Sequence, residues 1–309
     1  MNKRKEFSKL NLLDRFLFDE AMEDSENMKT VLDIILGQDI PLRLPPHSEK
    51  EMRTFPDNRQ VRLDVYAWDD DDTVYDTEAQ KEDTKNLPKR SRFYQAVLDS
   101  NLLPPGSVDF NKLNRAFIIL IMPFDPFGKG FYKYTFRMKC EECPNLELQD
   151  DATRIFLNCH GTHPEMVSPE LIELLHYMEK STNEVAGSCT SQKIKLLHQK
   201  VCQIRSNKKM EAKFMRAWEE REIERQKAFA EGEEAGIKTG KAVGITQGKN
   251  DLLKNLVKKK LEKNYSKEQI ADMLEEDPAL IRRIYDAIEQ TACQREKELL
   301  DAVNQDLRV

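Results

Sequence analysis

Asp64 and Glu78 stand fourteen positions apart, each inside a short run of β-type residues. The first run is Val61-Arg62-Leu63-Asp64-Val65-Tyr66-Ala67-Trp68, and the second is Thr73-Val74-Tyr75-Asp76-Thr77-Glu78-Ala79-Gln80. The acidic turn Asp69-Asp70-Asp71-Asp72 separates them. Paired as a hairpin, the two runs let both carboxylates reach one divalent ion. Mg²⁺ takes carboxylate oxygens and keeps several of its waters, so two acids at a strand edge suffice to hold it. Mn²⁺ suits the same donors. An ion so held lowers the pKa of a bound water and neutralises charge on phosphate oxygens, which is the requirement of phosphodiester hydrolysis. Strand alternation puts Gln80 on the face of Glu78. There it can orient a water or a phosphate but cannot supply the charge of a lysine. An acidic surface hairpin without chemistry fits the same spacing, and the neighbouring sequence has to decide between the two.

A helix is predicted from about Pro88 to Ser100, since proline is tolerated in a first turn and Phe93, Ala96 and Val97 form an apolar stripe. Its Lys89, Arg90 and Arg92 follow soon after Glu78. Arginine forks bind phosphate bidentately, so these cations suit a polyanion, and Tyr94 and Gln95 can add hydrogen bonds. Pairing with Glu82 and Asp83 is the plainer alternative.

Arg62-Leu63-Asp64, then Asp76-Thr77-Glu78-Ala79-Gln80, then Leu87-Pro88-Lys89-Arg90-Ser91-Arg92-Phe93-Tyr94-Gln95-Ala96 occur in a characteristic order. Gly106, Phe110, Leu113, Ile118-Ile119-Leu120-Ile121 and Phe124-Asp125-Pro126-Phe127 follow them. The series resembles the recombination-promoting nuclease and transposase family, a branch of the PD-(D/E)XK nuclease superfamily, over roughly residues 10–290. The resemblance implies an α/β, restriction-endonuclease-like core, a mixed sheet flanked by helices, with an α-helical C-terminal extension. It also implies Mg²⁺-dependent cleavage of DNA and a link to recombination or mobile elements. On it Asp64 and Glu78 are the metal acids, and Gln80 takes the place of the superfamily's lysine. Superfamily members often add an acid from an early helix, and Glu20 is the candidate here.

The elements that would position these residues can be read along the chain. Residues 10–36 have helical spacing, with Leu13, Phe16 and Leu17 and then Met28, Val31, Leu32 and Ile35 marking apolar faces, and Gly37 as a stop. Residues 41–60 are a proline-bearing loop. Ala116–Met122 is continuously apolar and reads as a strand covered on both faces. Tyr132–Cys140 and Thr153–Cys159 read as further strands, and Ser168 caps a helix that begins at Pro169. A nuclease-like domain is expected over 1–187, a charged helical extension over 188–263 and a small helical module over 264–309. The extension carries Gly232, Gly236, Gly240, Gly244 and Gly248. Glycine costs a helix about 1 kcal/mol against alanine, so this spacing fits close approach of another backbone, as in a homo-oligomer, backbone amides lying near DNA phosphates, or a flexible tether.

Charge is segregated within a net of -6. Residues 1–192 balance to -10, residues 193–263 to +9 and residues 264–309 to -5. The basic middle is a candidate phosphate-binding surface, or a solvated helix. The acidic C-terminal segment argues against a strong DNA reader there, and no element for reading base sequence is evident, so low sequence specificity is expected. Cys140, Cys143, Cys159 and His163 could be written as a zinc site, but both clusters sit at ends of apparent strands and the structural reading is preferred. No run has the apolar length of a membrane span, and Met1-Asn2-Lys3-Arg4-Lys5 does not open a signal peptide, so a cytoplasmic setting is expected. The reading is a Mg²⁺-dependent DNA endonuclease. The alternative is a catalytically silent DNA-binding or oligomeric scaffold on the same fold.

Overall fold

The structure, a computed structural model, describes residues 6–43, 45–52, 61–103 and 105–290, with the backbone alone at 48–52 and 61–63. The loop expected over 41–60 therefore lies partly outside the described residues, as do the side chains of Arg62 and Leu63 in the motif.

A six-stranded mixed sheet organises the first compact unit, residues 1–218. Its strands are β1 (His47–Met52), β2 (Val61–Trp68), β3 (Val74–Ala79), β4 (Ala116–Met122), β5 (Lys133–Phe136) and β6 (Ala152–Asn158). They lie in the order β1-β2-β3-β4-β6-β5. The outer pairs are antiparallel, while β3, β4 and β6 run parallel. The apolar run of β4 is central for the expected reason. Ile119 and Ile121 enter one core, and Ile118, Leu120 and Met122 enter the other. Each such side chain contributes about 1.5–3 kcal/mol by leaving water.

The first of these cores is closed by α1 (Arg15–Met22), α2 (Ser25–Leu36), α4 (Pro169–Glu179), α5 (Asn183–Ser188) and α6 (Gln192–Ser206). The second is closed by α3 (Leu87–Leu102), through Leu87, Val97 and Leu98. The helical stretch expected over 10–36 is broken into α1 and α2. Asp24 causes the break: its carboxylate accepts hydrogen bonds from the backbone N–H groups of Glu26 and Asn27, which starts a new helix. Gly37 ends α2 in the left-handed region with φ 71°. Ser168 caps α4 as its sequence suggests, its hydroxyl accepting from the Leu171 N–H. The strand expected over Tyr132–Cys140 is shorter, because β5 ends at Phe136 and only an isolated bridge, Lys139 to Glu147, continues the pairing beyond it.

The first unit extends beyond the boundary expected near residue 187. Ile194, Leu197 and Val201 of α6 and Phe214 of α7 (Lys208–Leu261) are buried in its core, and Phe214 meets the rings of Phe7 and Phe16. The second unit, residues 219–309, has its own small core of Val257, Ile270, Ala271, Ile281 and Ile284. Its α8 (Lys267–Leu274) opens on a capping box formed by Ser266 and Gln269.

Candidate active site

The β2–β3 hairpin is set by its turn. The Asp69 carboxylate accepts from the N–H groups of Asp71 at 3.0 Å and Thr73 at 2.8 Å, and from the Tyr75 hydroxyl at 2.7 Å. That network fixes the register Val65 to Thr77 and Tyr66 to Asp76. One further step places Asp64 beside Glu78, and the Asp64 backbone N–H donates to Glu78 Oε1 at 3.1 Å. Both acids are buried, at 4% and 3% exposure. The hairpin expected from the sequence therefore forms, with its two acids side by side.

Two arginines answer this charge. Arg15 of α1 brings Nη2 to 2.6 Å from Asp64 Oδ1, with its Nε 3.7 Å from Asp19 Oδ2. Arg90 of α3 holds Nη2 at 3.4 Å from Glu78 Oε2 and donates to Gln80 Oε1 at 2.7 Å. Its guanidinium lies 5.4 Å from the centre of the Tyr94 ring, a cation–π arrangement. Gln80 continues the β3–β4 ladder, its N–H donating to Ile121 O, and its amide donates to Glu82 O. Asp64, Glu78, Gln80, Arg90 and Tyr94 are thus brought together, while Lys89 and Arg92 are exposed on α3.

Glu20 is placed differently from its expected role. Its carboxylate pairs with Lys213 of α7. Asp19 is the acid of α1 linked to the hairpin, through Arg15, because adjacent helix positions point about 100° apart. Sequence reading also missed Arg15 and Asp76. Asp76 lies two residues before Glu78 on the same strand face and is 0% exposed, a position that strand alternation already marks.

Burial dominates the electrostatics. Removal from water, and then the charge of Asp64, push the Glu78 carboxyl up to about 8, against the pull of Arg90. Asp76 is driven well above the carboxylate range by burial, then by Glu78 and Asp64. Burial and then Glu78 raise the Tyr94 hydroxyl to about 12. Oxygen donors of this kind suit a hard divalent ion, and the two acids now face guanidinium groups. Among the described residues, no three His, Cys, Asp or Glu side chains converge as they stand to hold a metal. Cys140 and Cys143 lie on the turn beyond β5, Cys159 is buried after β6, and the His163 ring packs on Phe131.

A family model described as PD-(D/E)XK nuclease family transposase matches residues 45–229. The chain belongs to this family. The match spans the hairpin, the central sheet, α3 and the first turns of α7. Membership points to nuclease activity linked to mobile elements, with DNA as substrate, and nucleases of the PD-(D/E)XK type generally use divalent metals. No curated protein and no solved structure gives a significant match.

Proposed function

We propose that this PD-(D/E)XK family member is a metal-dependent DNA endonuclease of low sequence specificity, acting in recombination or the movement of mobile elements. The observation that carries the reading is the cross-strand pair of buried acids, Asp64 and Glu78, with Gln80 and Arg90 at its side. When bound, Mg²⁺ or Mn²⁺ supplies a water of lowered pKa and neutralises charge gathering on the phosphate. Asp64 and Glu78 hold the ion. Gln80, fixed by Arg90 and by Glu82 O, orients the attacking water. Arg90 and the exposed Lys89 and Arg92 of α3 grip the phosphate backbone, and Tyr94 supports the Arg90 guanidinium.

The basic segment 193–263 adds sequence-independent affinity that weakens with salt. Along α7, an added Cβ at each of Gly232, Gly236, Gly240, Gly244 and Gly248 would meet nothing within 4 Å. That open side is where a second copy would pack. Among the described residues no helix is long and apolar enough to cross a membrane, and a DNA substrate suits a cytoplasmic setting.

Plasmid nicking in Mg²⁺ or Mn²⁺ tests the reading. The wild-type chain is expected to nick and Asp64→Ala to be inactive while still folded. Cleavage that survives Asp64→Ala would put the site elsewhere. One observation favours a second reading, a silent DNA-binding scaffold: both acids are engaged by the protein's own arginines. DNA binding without cleavage by any form would select it.

Arg90→Lys separates two roles of that arginine. Lysine keeps the charge but loses the planar group that lies over Tyr94 and so fixes the Nη2 that contacts both Glu78 and Gln80. The expected result is a kcat reduced about ten- to a hundredfold, the range for misplacing a catalytic group, with KM for DNA changed less than threefold. A rise in KM at constant kcat would make Arg90 a phosphate contact alone.

A further inference from the structure

Among the described residues, Asp76 is the least satisfied charged side chain of the first unit's core. It is 0% exposed, and neither carboxylate oxygen has a hydrogen-bond partner. Register places it between Tyr66 of β2 and Ile118 of β4, one rung inward from Glu78 and on the same strand face. An ionised carboxylate cannot rest in such a place without a partner. A protonated one fares little better, because its O–H donor has no acceptor and its second oxygen no donor. Packing offers no reason for an acid here either, since the neighbours on this face, Tyr66, Val74, Ile118 and Leu120, belong to an apolar core. No protein group donates to either oxygen, and a cation would satisfy both of them and the charge as well. Away from the turn, its neighbours on this face are acids as well: Glu78 along the strand and Asp64 diagonally across the β2–β3 pair.

We infer that Asp76 is a third acid of the metal centre, adding its charge to the ion held by Asp64 and Glu78. The inference rests on the reading of those two residues as metal acids. It explains why an unpartnered carboxylate persists under the hairpin. It also adds a charge that the two guanidinium groups leave unpaired, since Arg15 contacts Asp64 and Arg90 contacts Glu78. The three carboxylates do not converge on one point as they stand, so Asp76 acts by its negative charge close to the ion, and such charge is a main determinant of affinity for hard cations. Asp76 thus sets how tightly the centre holds its ion.

Calorimetric titration of the full chain with MnCl₂, without DNA, tests this apart from catalysis. Asp76→Asn keeps the side-chain size and removes the charge. Its Kd for Mn²⁺ is expected to rise at least tenfold, with a metal-free melting temperature no lower than that of the wild type. Asp64→Asn is the reference, expected to weaken Mn²⁺ as well. Weakening in Asp64→Asn with unchanged binding in Asp76→Asn would overturn the inference alone and leave Asp76 a core acid. Unchanged binding in both variants, or no binding by the wild type, would overturn the reading of the whole centre. If Asp76→Asn melts early, Asp76→Ser, smaller and uncharged, carries the same expectation and the same overturning result.

Discussion

Glu78→Gln is expected to give a protein that melts higher than the wild type at pH 8 without metal, yet cleaves DNA at least a thousandfold more slowly. The two halves of this result have one cause. Glu78 is 3% exposed beside Asp64, and its carboxyl titrates near 8 rather than at its ordinary 4.5. Holding it ionised in the folded chain at pH 8 and above therefore costs on the order of a few kcal/mol, taking 1.36 kcal/mol per pKa unit. Glutamine has the same shape, removes that cost, and keeps an amide oxygen that can accept from the Asp64 N–H. It cannot give an ion a full negative charge. A thousandfold rate loss corresponds to about 4 kcal/mol of transition-state stabilisation, a reasonable share for one of two metal acids. Thermal unfolding in chelator and plasmid nicking in Mg²⁺ together read both halves. A variant that is stable and active would remove Glu78 from the metal centre. One that is unstable and inactive would make Glu78 a structural residue.

What the sequence disclosed about this site follows from which forces are local. Asp64 and Glu78 could be paired on paper because strand alternation has a period of two and the turn residue Asp69 organises its own loop through Asx-type hydrogen bonds. Gly37 and Ser168 were legible as helix ends for the same reason, since caps are chemistry within three residues. The continuous apolar run of β4 announced a strand buried on both faces. Arg15 was invisible because its contact with Asp64 joins α1 to β2, and no local pattern encodes where a long side chain on one element ends on another. Helix spacing alone did not show where Glu20 points, because Lys213, nearly two hundred residues away, pairs with it. Asp76 lay in plain view within the motif. Alternation gave its face, but only the packing of α3 over that face made it a buried acid without a partner. The extent of the first unit was hidden similarly, for nothing near Phe214 in a highly charged helix signals that its ring meets Phe7 and Phe16.

Metal affinity and metal-free stability are expected to move in opposite directions with pH. Glu78 has a folded pKa raised to about 8, and Asp76 is raised in the same direction. A carboxyl raised by folding binds its proton more tightly in the native state than in the unfolded chain. Its contribution to stability is therefore complete below the unfolded value, near 4.5 for Glu78, and is lost as pH rises through about 8. In chelator, the melting temperature should fall between pH 6 and pH 8, and Glu78→Gln should flatten that slope. Binding of a divalent ion runs the other way, since the ligand must first lose its proton. With Glu78 protonated below about 8, Mn²⁺ affinity should rise at least tenfold per pH unit from pH 6 towards pH 8, and Asp76 steepens the rise where it too must lose a proton. Saturating Mn²⁺ should accordingly remove or reverse the fall in melting temperature, because ligand bound only to the folded state stabilises it in proportion to the logarithm of its affinity. Calorimetry at pH 6, 7 and 8, with melting curves in chelator and in Mn²⁺, measures all of these together. An affinity independent of pH over that range would mean that Glu78 is already ionised in the folded chain, stabilised by Arg90 more strongly than burial opposes it.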